Sequence, residues 1–146
     1  PANDINKFIC GTPPIIAYKA IESGLEIFKD LSIIEIREKS TKLSEMFIQL
    51  MKQECTEFGF TLFSPKNSEQ RGSQISFLHE NAYSIIQALI SHGIIGDYRE
   101  PNVMRFGISP LYMRFEDVWN AITCLREIMQ TGQWQSEKFK NKNYVT

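Results

Sequence analysis

The sequence predicts an α+β domain, with helices packed on one face of a small, mainly antiparallel sheet. Stretches of helical and alternating periodicity follow one another as helix, helix, strand, strand, helix, strand, strand, helix. The strand-like stretches are short and bounded by Gly, Pro, Asn and Ser, as in strands joined by tight turns. With 146 residues, 42% of them hydrophobic, the chain can build one real core but is too short for two domains of ordinary size. A single domain over 1–130 is therefore expected, with 131–146 a polar, Lys-rich, loosely held tail that Trp134 anchors in part.

Residues 1–7 are polar and turn-rich. Gly11-Thr12-Pro13-Pro14 then reads as a helix start, with Thr12 as N-cap and the prolines in the first turn, where their missing N–H groups have no intrahelical role. Ala17, Ala20, Ile21, Gly24, Leu25 and Phe28 recur at helical spacing to about Lys29. A longer helix is expected over about 33–57, its stripe formed by Leu43, Met46, Phe47, Leu50 and Met51. Short strands follow at Phe60 to Phe63 and at Gln74 to Leu78, with Ile75 and Phe77 on one face. Asn81 is placed to cap a third helix that ends at Gly93, a residue suited to the left-handed C-terminal position. Strands Ile94 to Tyr98 and Val103 to Ile108 should pair antiparallel across the Pro101-Asn102 turn. The last helix, Phe115 to Met129, turns Val118, Ala121, Ile122, Leu125 and Met129 inward.

A net charge of -1, from 16 basic and 17 acidic residues, leaves no electrostatic footprint for nucleic acid or an anionic membrane. No apolar run reaches the ~20 residues of a membrane span, and the N-terminus has no signal-peptide pattern, so a cytoplasmic protein is expected. Cys10, Cys55 and Cys124 are widely spaced reduced thiols, with neither a disulfide nor a metal site expected of them. The chain opens at Pro1 rather than Met, which is expected of a piece of a longer protein.

One charged residue stands out. Arg105 lies mid-strand among Val103, Met104, Phe106 and Ile108. Desolvating an unpaired guanidinium costs several kcal/mol, so something anionic should meet it. That partner is either an Asp or Glu of the same chain or the carboxylate of a ligand, held by the two-pronged geometry that arginine offers. The helix start at Thr12 has two readings as well: a capped helix, or a phosphate contact carried mainly by the threonine hydroxyl.

Four separated motifs resemble those of kynureninase and occur in its order: Phe8-Ile9-Cys10-Gly11-Thr12-Pro13-Pro14-Ile15, Arg71-Gly72-Ser73-Gln74, Gly96-Asp97-Tyr98-Arg99 with Pro101-Asn102, and Arg105-Phe106-Gly107 with Pro110-Leu111-Tyr112. The resemblance covers roughly residues 8–129 and implies the C-terminal, small-domain part of a pyridoxal-phosphate enzyme with the aspartate-aminotransferase type of fold. It implies a hydrolase of tryptophan catabolism and NAD biosynthesis, which cleaves L-kynurenine or 3-hydroxykynurenine and from kynurenine releases anthranilate and L-alanine. Arg105 matches the family's arginine for the substrate carboxylate. Thr12, with Gly11 beside it, matches a position that reaches the cofactor phosphate of the neighbouring subunit, so a homodimer is implied. Tyr112 is either a pocket residue or a core tyrosine. Arg71 and Asp97 match no ligand role and read best as a buried ion pair joining loops; His79 and His92 read as surface or structural.

The resemblance also has a gap. The family's Schiff-base lysine and the residues that hold the pyridine ring belong to a large domain upstream, and no lysine of this chain stands in a matching context. The 146-residue chain alone is therefore expected to hold no catalytic residue and to be inert. The alternatives are a cysteine desulfurase or class V aminotransferase relative, and a non-catalytic domain that binds a carboxylated small molecule or a protein partner.

Overall fold

A computed structural model describes residues 2–141. The chain divides into two compact units, Pro1–Glu35 and Ile36–Thr146, where the sequence predicts one domain. The physical reason lies in the first unit, in which none of the described residues is buried. Its helix α1, Ile15–Leu25, carries Ile15, Ile16, Tyr18, Ile21 and Leu25 as exposed side chains.

The second unit holds the core. Helix α2 (Ile33–Glu54), which enters this unit at Ile36, strands β1 (Thr61–Leu62) and β2 (Gln74–Leu78), helix α3 (Ala82–Ser91), strands β3 (Asp97–Arg99) and β4 (Val103–Gly107), helix α4 (Phe115–Thr131) and the short α5 (Glu137–Lys140) follow in that order. The four strands form one antiparallel sheet in the order β1-β2-β4-β3. Strand side chains alternate between faces, so Ile75 and Phe77 of β2 lie on the same face as Met104 and Phe106 of β4, and all four are buried. They join Leu43, Phe47, Leu50 and Met51 of α2, Ile85, Ile86 and Leu89 of α3, and Val118, Ile122, Leu125 and Ile128 of α4 in one core cluster. Phe47 ties α2 to the sheet, its ring 5.0 Å from that of Phe106 and 6.1 Å from that of Phe77.

The expected α+β architecture and the antiparallel β3–β4 pair are therefore present. Differences lie at the ends of elements. Helix α1 begins at Ile15, with Pro14 as its N-cap and no side-chain cap, so Thr12 does not cap it. The prolines precede the helix, and its first three N–H groups, those of Ile15, Ile16 and Ala17, are left without intrahelical acceptors. Asn81 likewise makes no side-chain cap at α3. Its backbone N–H instead donates to Nδ1 of His79 at 3.0 Å. At the other end Gly93 takes φ +82°, the left-handed conformation expected of it. The β3–β4 turn contains a cis Glu100–Pro101 peptide bond.

The segment expected as a loose tail is packed as far as Asn141. Phe139 is buried in the core cluster, Trp134 packs against it, and the Tyr83 hydroxyl donates to the Asn141 carbonyl at 3.0 Å. Two large aromatic rings supply apolar area that the polar composition of the segment conceals. Residues 142–146 of that tail lie outside the described residues.

His79 is a load on this fold as well as a support. Its Nδ1 accepts from Asn81, so its Nε2 carries the proton and donates to the Phe58 carbonyl at 3.0 Å. Burial beneath Phe60 and Trp134 lowers its pKa below the ordinary 6.5, and the Phe58 hydrogen bond only partly offsets that. The unfolded chain then takes up a proton at higher pH than the folded one. Stability from neutral His79 is complete above about pH 6.5 and is lost as pH falls through the folded value. Urea midpoints of the 146-residue chain should drop between about pH 7.5 and about pH 5.5, and His79→Gln should flatten that difference.

Candidate carboxylate-binding site

The sheet face turned away from the core is polar around Arg105, while Leu78 and Val103 meet at one end of it. Gln74 and Ser76 of β2, Arg105 and Gly107 of β4, and Asp97 and Arg99 of β3 share it by alternation. The register sets Arg105 between Ser76 on one side and Asp97 on the other. Opposed residues on one face stand close enough for direct contact. Arg105 Nε donates to Asp97 Oδ2 at 2.7 Å, and Arg105 Nη2 donates to the same oxygen. Arg99 Nε lies 3.2 Å from that oxygen too. Two guanidinium groups thus meet one carboxylate, and the cluster keeps a net positive charge.

Of the two partners the sequence allows for Arg105, the structure supplies the one from the same chain. The guanidinium is not fully enclosed, however, with its side chain 31% exposed and that of Asp97 47% exposed. Nε and Nη2 form one edge of the guanidinium, and Asp97 occupies it. The other edge, Nη1 with the remaining N–H of Nη2, has no partner among the described residues. That edge presents the parallel pair of donors that fits a carboxylate.

Further along the same face is an open recess lined by Ser73, Gln74, Gly107, Ile108, Ser109, Pro110 and Tyr112. Gly107 follows Arg105 by two positions and so lies on the same face. Tyr112 is 77% exposed and lines this recess, which corrects the core-tyrosine option. Gln74 also lines it, with Nε2 at 3.4 Å from the Ser76 hydroxyl.

The expected Arg71–Asp97 ion pair does not form, because the register gives Asp97 to Arg105. Arg71, with its side chain only 2% exposed, pairs with Glu45 of α2 and donates from Nη1 to the carbonyls of Pro65 at 3.0 Å and Lys66 at 2.7 Å. It pins the 64–70 loop to α2. Its Nε is buried and unpaired among the described residues. Two other motif residues gain a role from packing. A Cβ at Gly96 would stand 2.7 Å from Ile86 Cδ1 and 3.1 Å from Phe106 Cε1, so any larger residue there would force these side chains to shift. Ser73 shares a 2.7 Å hydroxyl hydrogen bond with Ser40 of α2.

A separate cavity of about 490 Å³ lies between α2 and the β1 edge, lined by Ile48, Met51, Cys55, Phe60, Leu62 and Phe77 among others. Burial, reinforced by Glu54, pushes the Cys55 thiol up to about 11, so it is protonated and unreactive at neutral pH. Among the described residues no group of His, Cys, Asp and Glu is arranged to hold a metal, and no helix is long and apolar enough to cross a membrane.

In the first unit Thr12 is exposed, and its hydroxyl has no hydrogen-bond partner among the described residues. A Cβ at Gly11 would meet nothing within 4 Å, so packing inside the chain does not require a glycine there. A free hydroxyl, an unencumbered glycine backbone and the open N–H groups at the start of α1 suit one edge of a phosphate. They offer nothing to a pyridine ring or an aldehyde carbon.

The sequence reading missed the Asp97–Arg105 pair, although a signal was available. A hairpin centred on Pro101 sets 97 opposite 105, just as it sets 99 opposite 103.

Residues 36–125 match the family model described as the kynureninase C-terminal domain. A kynureninase of Pseudomonas fluorescens is 42% identical over 146 residues, covering 100% of this chain and 35% of its own length. A kynureninase of Burkholderia mallei (strain SAVP1) is 43% identical with the same coverage. The chain thus spans about a third of the length of these curated relatives. Among solved structures, a NifS-like protein superposes with a TM-score of 0.61 at 17% identity, covering 83% of this chain and 35% of the other. An acetylornithine aminotransferase from Elizabethkingia anophelis superposes with a TM-score of 0.57 at 15% identity, covering 75% and 27%. At those identities the two structures establish the fold alone, one that this chain shares with part of a NifS-like protein and of an aminotransferase.

Arg71, with no open donor edge, should act on stability alone. Arg71→Ala should lower unfolding free energy by roughly 1–3 kcal/mol, the cost of leaving buried acceptors unpaired. Urea denaturation should show the shift in midpoint with little change in slope.

Proposed function

The chain belongs to the kynureninase family, and from that premise we propose that it is the small-domain part of an enzyme hydrolysing L-kynurenine to anthranilate and L-alanine, with Arg105 holding the substrate α-carboxylate. The observation that carries this reading is the open edge of Arg105, on a polar face next to the Gln74 and Tyr112 recess. An α-amino acid brings a carboxylate that this pair of donors matches in charge and shape. Tyr112 is the residue of this chain placed to line the rest of the pocket.

Pyridoxal phosphate, when bound, supplies the electron sink for breaking the bond between Cβ and Cγ of the substrate. Thr12 and the backbone at Gly11 would contribute to holding its phosphate, in a neighbouring subunit of a homodimer. The large domain of the full protein would supply the catalytic groups. Exposed Ile15, Ile16, Tyr18, Ile21 and Leu25 favour this, since so much apolar surface suits a helix that docks elsewhere in a larger assembly. We place the enzyme in the cytoplasm and in tryptophan catabolism. Identities of 42% and 43% to kynureninases favour this activity over that of a desulfurase or class V aminotransferase.

Anthranilate fluorescence, followed after adding L-kynurenine and pyridoxal phosphate, tests the proposal. The full-length protein should turn over, whereas the 146-residue chain should not exceed free cofactor. In the full-length protein Arg105→Ala should cost roughly 2–3 kcal/mol of substrate binding, on the order of a hundredfold in KM, with kcat changed far less. An unchanged KM would remove Arg105 from the site.

A further inference from the structure

We propose that Asp97 is a positioning residue for Arg105: by binding one edge of the guanidinium through Nε and Nη2, it fixes the plane of the group and aims the other edge at the substrate carboxylate. The inference rests on the assignment of Arg105 above and adds a second residue to that site.

Three features of the geometry support it. Arginine is long, and a guanidinium on an open sheet face would sample many rotamers. The two hydrogen bonds to Asp97 are donated by Nε and Nη2 and converge on a single oxygen, which holds that edge of the group against the carboxylate. Asp97 is itself set by the backbone register, directly opposite Arg105, and Gly96 before it is held against Ile86 and Phe106. The anchor is therefore on a strand rather than on a loop, and a ligand meeting Arg105 does not have to order it first. Finally, Arg99 also reaches Asp97. Without a second cation, Asp97 would cancel the charge that attracts a carboxylate; with it, the cluster stays positive after the pair has formed.

The opposite reading is that Asp97 competes with the ligand for the guanidinium. The two readings differ in sign. A competitor, once neutralised, leaves Arg105 binding a carboxylate more tightly, whereas the loss of a positioning residue weakens binding.

The experiment is calorimetric titration of the full-length holoprotein with L-alanine and with L-alaninamide, which lacks the carboxylate. Asp97→Asn is close to isosteric, and Asp97→Glu keeps the charge. We expect Asp97→Asn to weaken L-alanine binding by roughly two- to tenfold, the cost of ordering one long side chain, and to leave L-alaninamide unchanged. Asp97→Glu should recover part of the loss. In an Arg105→Ala background, Asp97→Asn should have no further effect, because its action passes through that arginine. Equal or tighter L-alanine binding by Asp97→Asn, with Arg105→Ala still losing it, overturns the positioning role and leaves the Arg105 assignment intact. If Arg105→Ala itself keeps the preference for L-alanine over L-alaninamide, the Arg105 assignment falls, and the role of Asp97 falls with it.

Discussion

The pairing of β2 with β4 is the constraint on which the rest of the second unit depends. Ile75 sits opposite Phe106 and Phe77 opposite Met104, all four turned toward the helices. The same register turns Ser76 and Arg105 the other way. A slip of one residue would bring the guanidinium into a core of Phe47, Leu43 and Ile85 and send Met104 and Phe106 into water. Burying an unpaired charge there costs several kcal/mol, comparable with the whole stability of a small domain. The hydrophobic pattern thus fixes where the arginine must point, and the site is a by-product of a well-specified core.

That core needs its flanks tied down. Arg71 holds the loop before β2 to α2 through two carbonyls and Glu45, while Ser73 meets Ser40 a little further along. On the other edge, Gly96 allows β3 to approach closely enough for Asp97 to stand opposite Arg105, and the Tyr98 hydroxyl donates to the Pro101 carbonyl at 2.8 Å across the turn. The residues of two sequence motifs therefore serve one end: both neighbours of β4 are anchored before any ligand arrives. Unit Pro1–Glu35 is built differently. It has helical periodicity, but none of its described residues is buried, so its apolar side chains are surface in this chain.

Periodicity made the core legible, because burial acts on many residues at once. The stripe of α2 and the alternation of β2 could each be read from spacing alone; on α4 spacing finds Val118, Ile122 and Leu125 but puts Met129 inward where Ile128 is the buried residue. Single hydrogen bonds were less legible. Thr12 and Asn81 have the right chemistry for caps, yet Pro14 holds the N-cap position of α1, and Asn81, which does hold that position at α3, turns its side-chain amide to Glu80. Residue type alone does not rank such close neighbours against one another. The ion pairs were misassigned for a similar reason. Arg71 and Asp97 are complementary in charge, but partner choice is settled by strand register, which sets Asp97 opposite Arg105. In the tail Trp134 was read as a partial anchor but Phe139 was not, and the two rings together seat the segment.

The two motif arginines show how a structural arginine can be separated from one that meets a ligand. Arg71 is as buried as the core, and both of its terminal nitrogens already have acceptors: two carbonyls on Nη1, Glu45 and the Ser44 hydroxyl on Nη2. Its unpaired Nε is shut away from solvent, so it has no edge to offer. Arg105 is the reverse. It is more exposed, yet two of its five donors are already held, and two of the remaining three lie together on one edge. Exposure alone would not distinguish it from Arg99 or Arg114, which are more exposed still. What sets Arg105 apart is a fixed guanidinium with an open edge, since a free one must be ordered at the ligand's expense and a saturated one has nothing to donate.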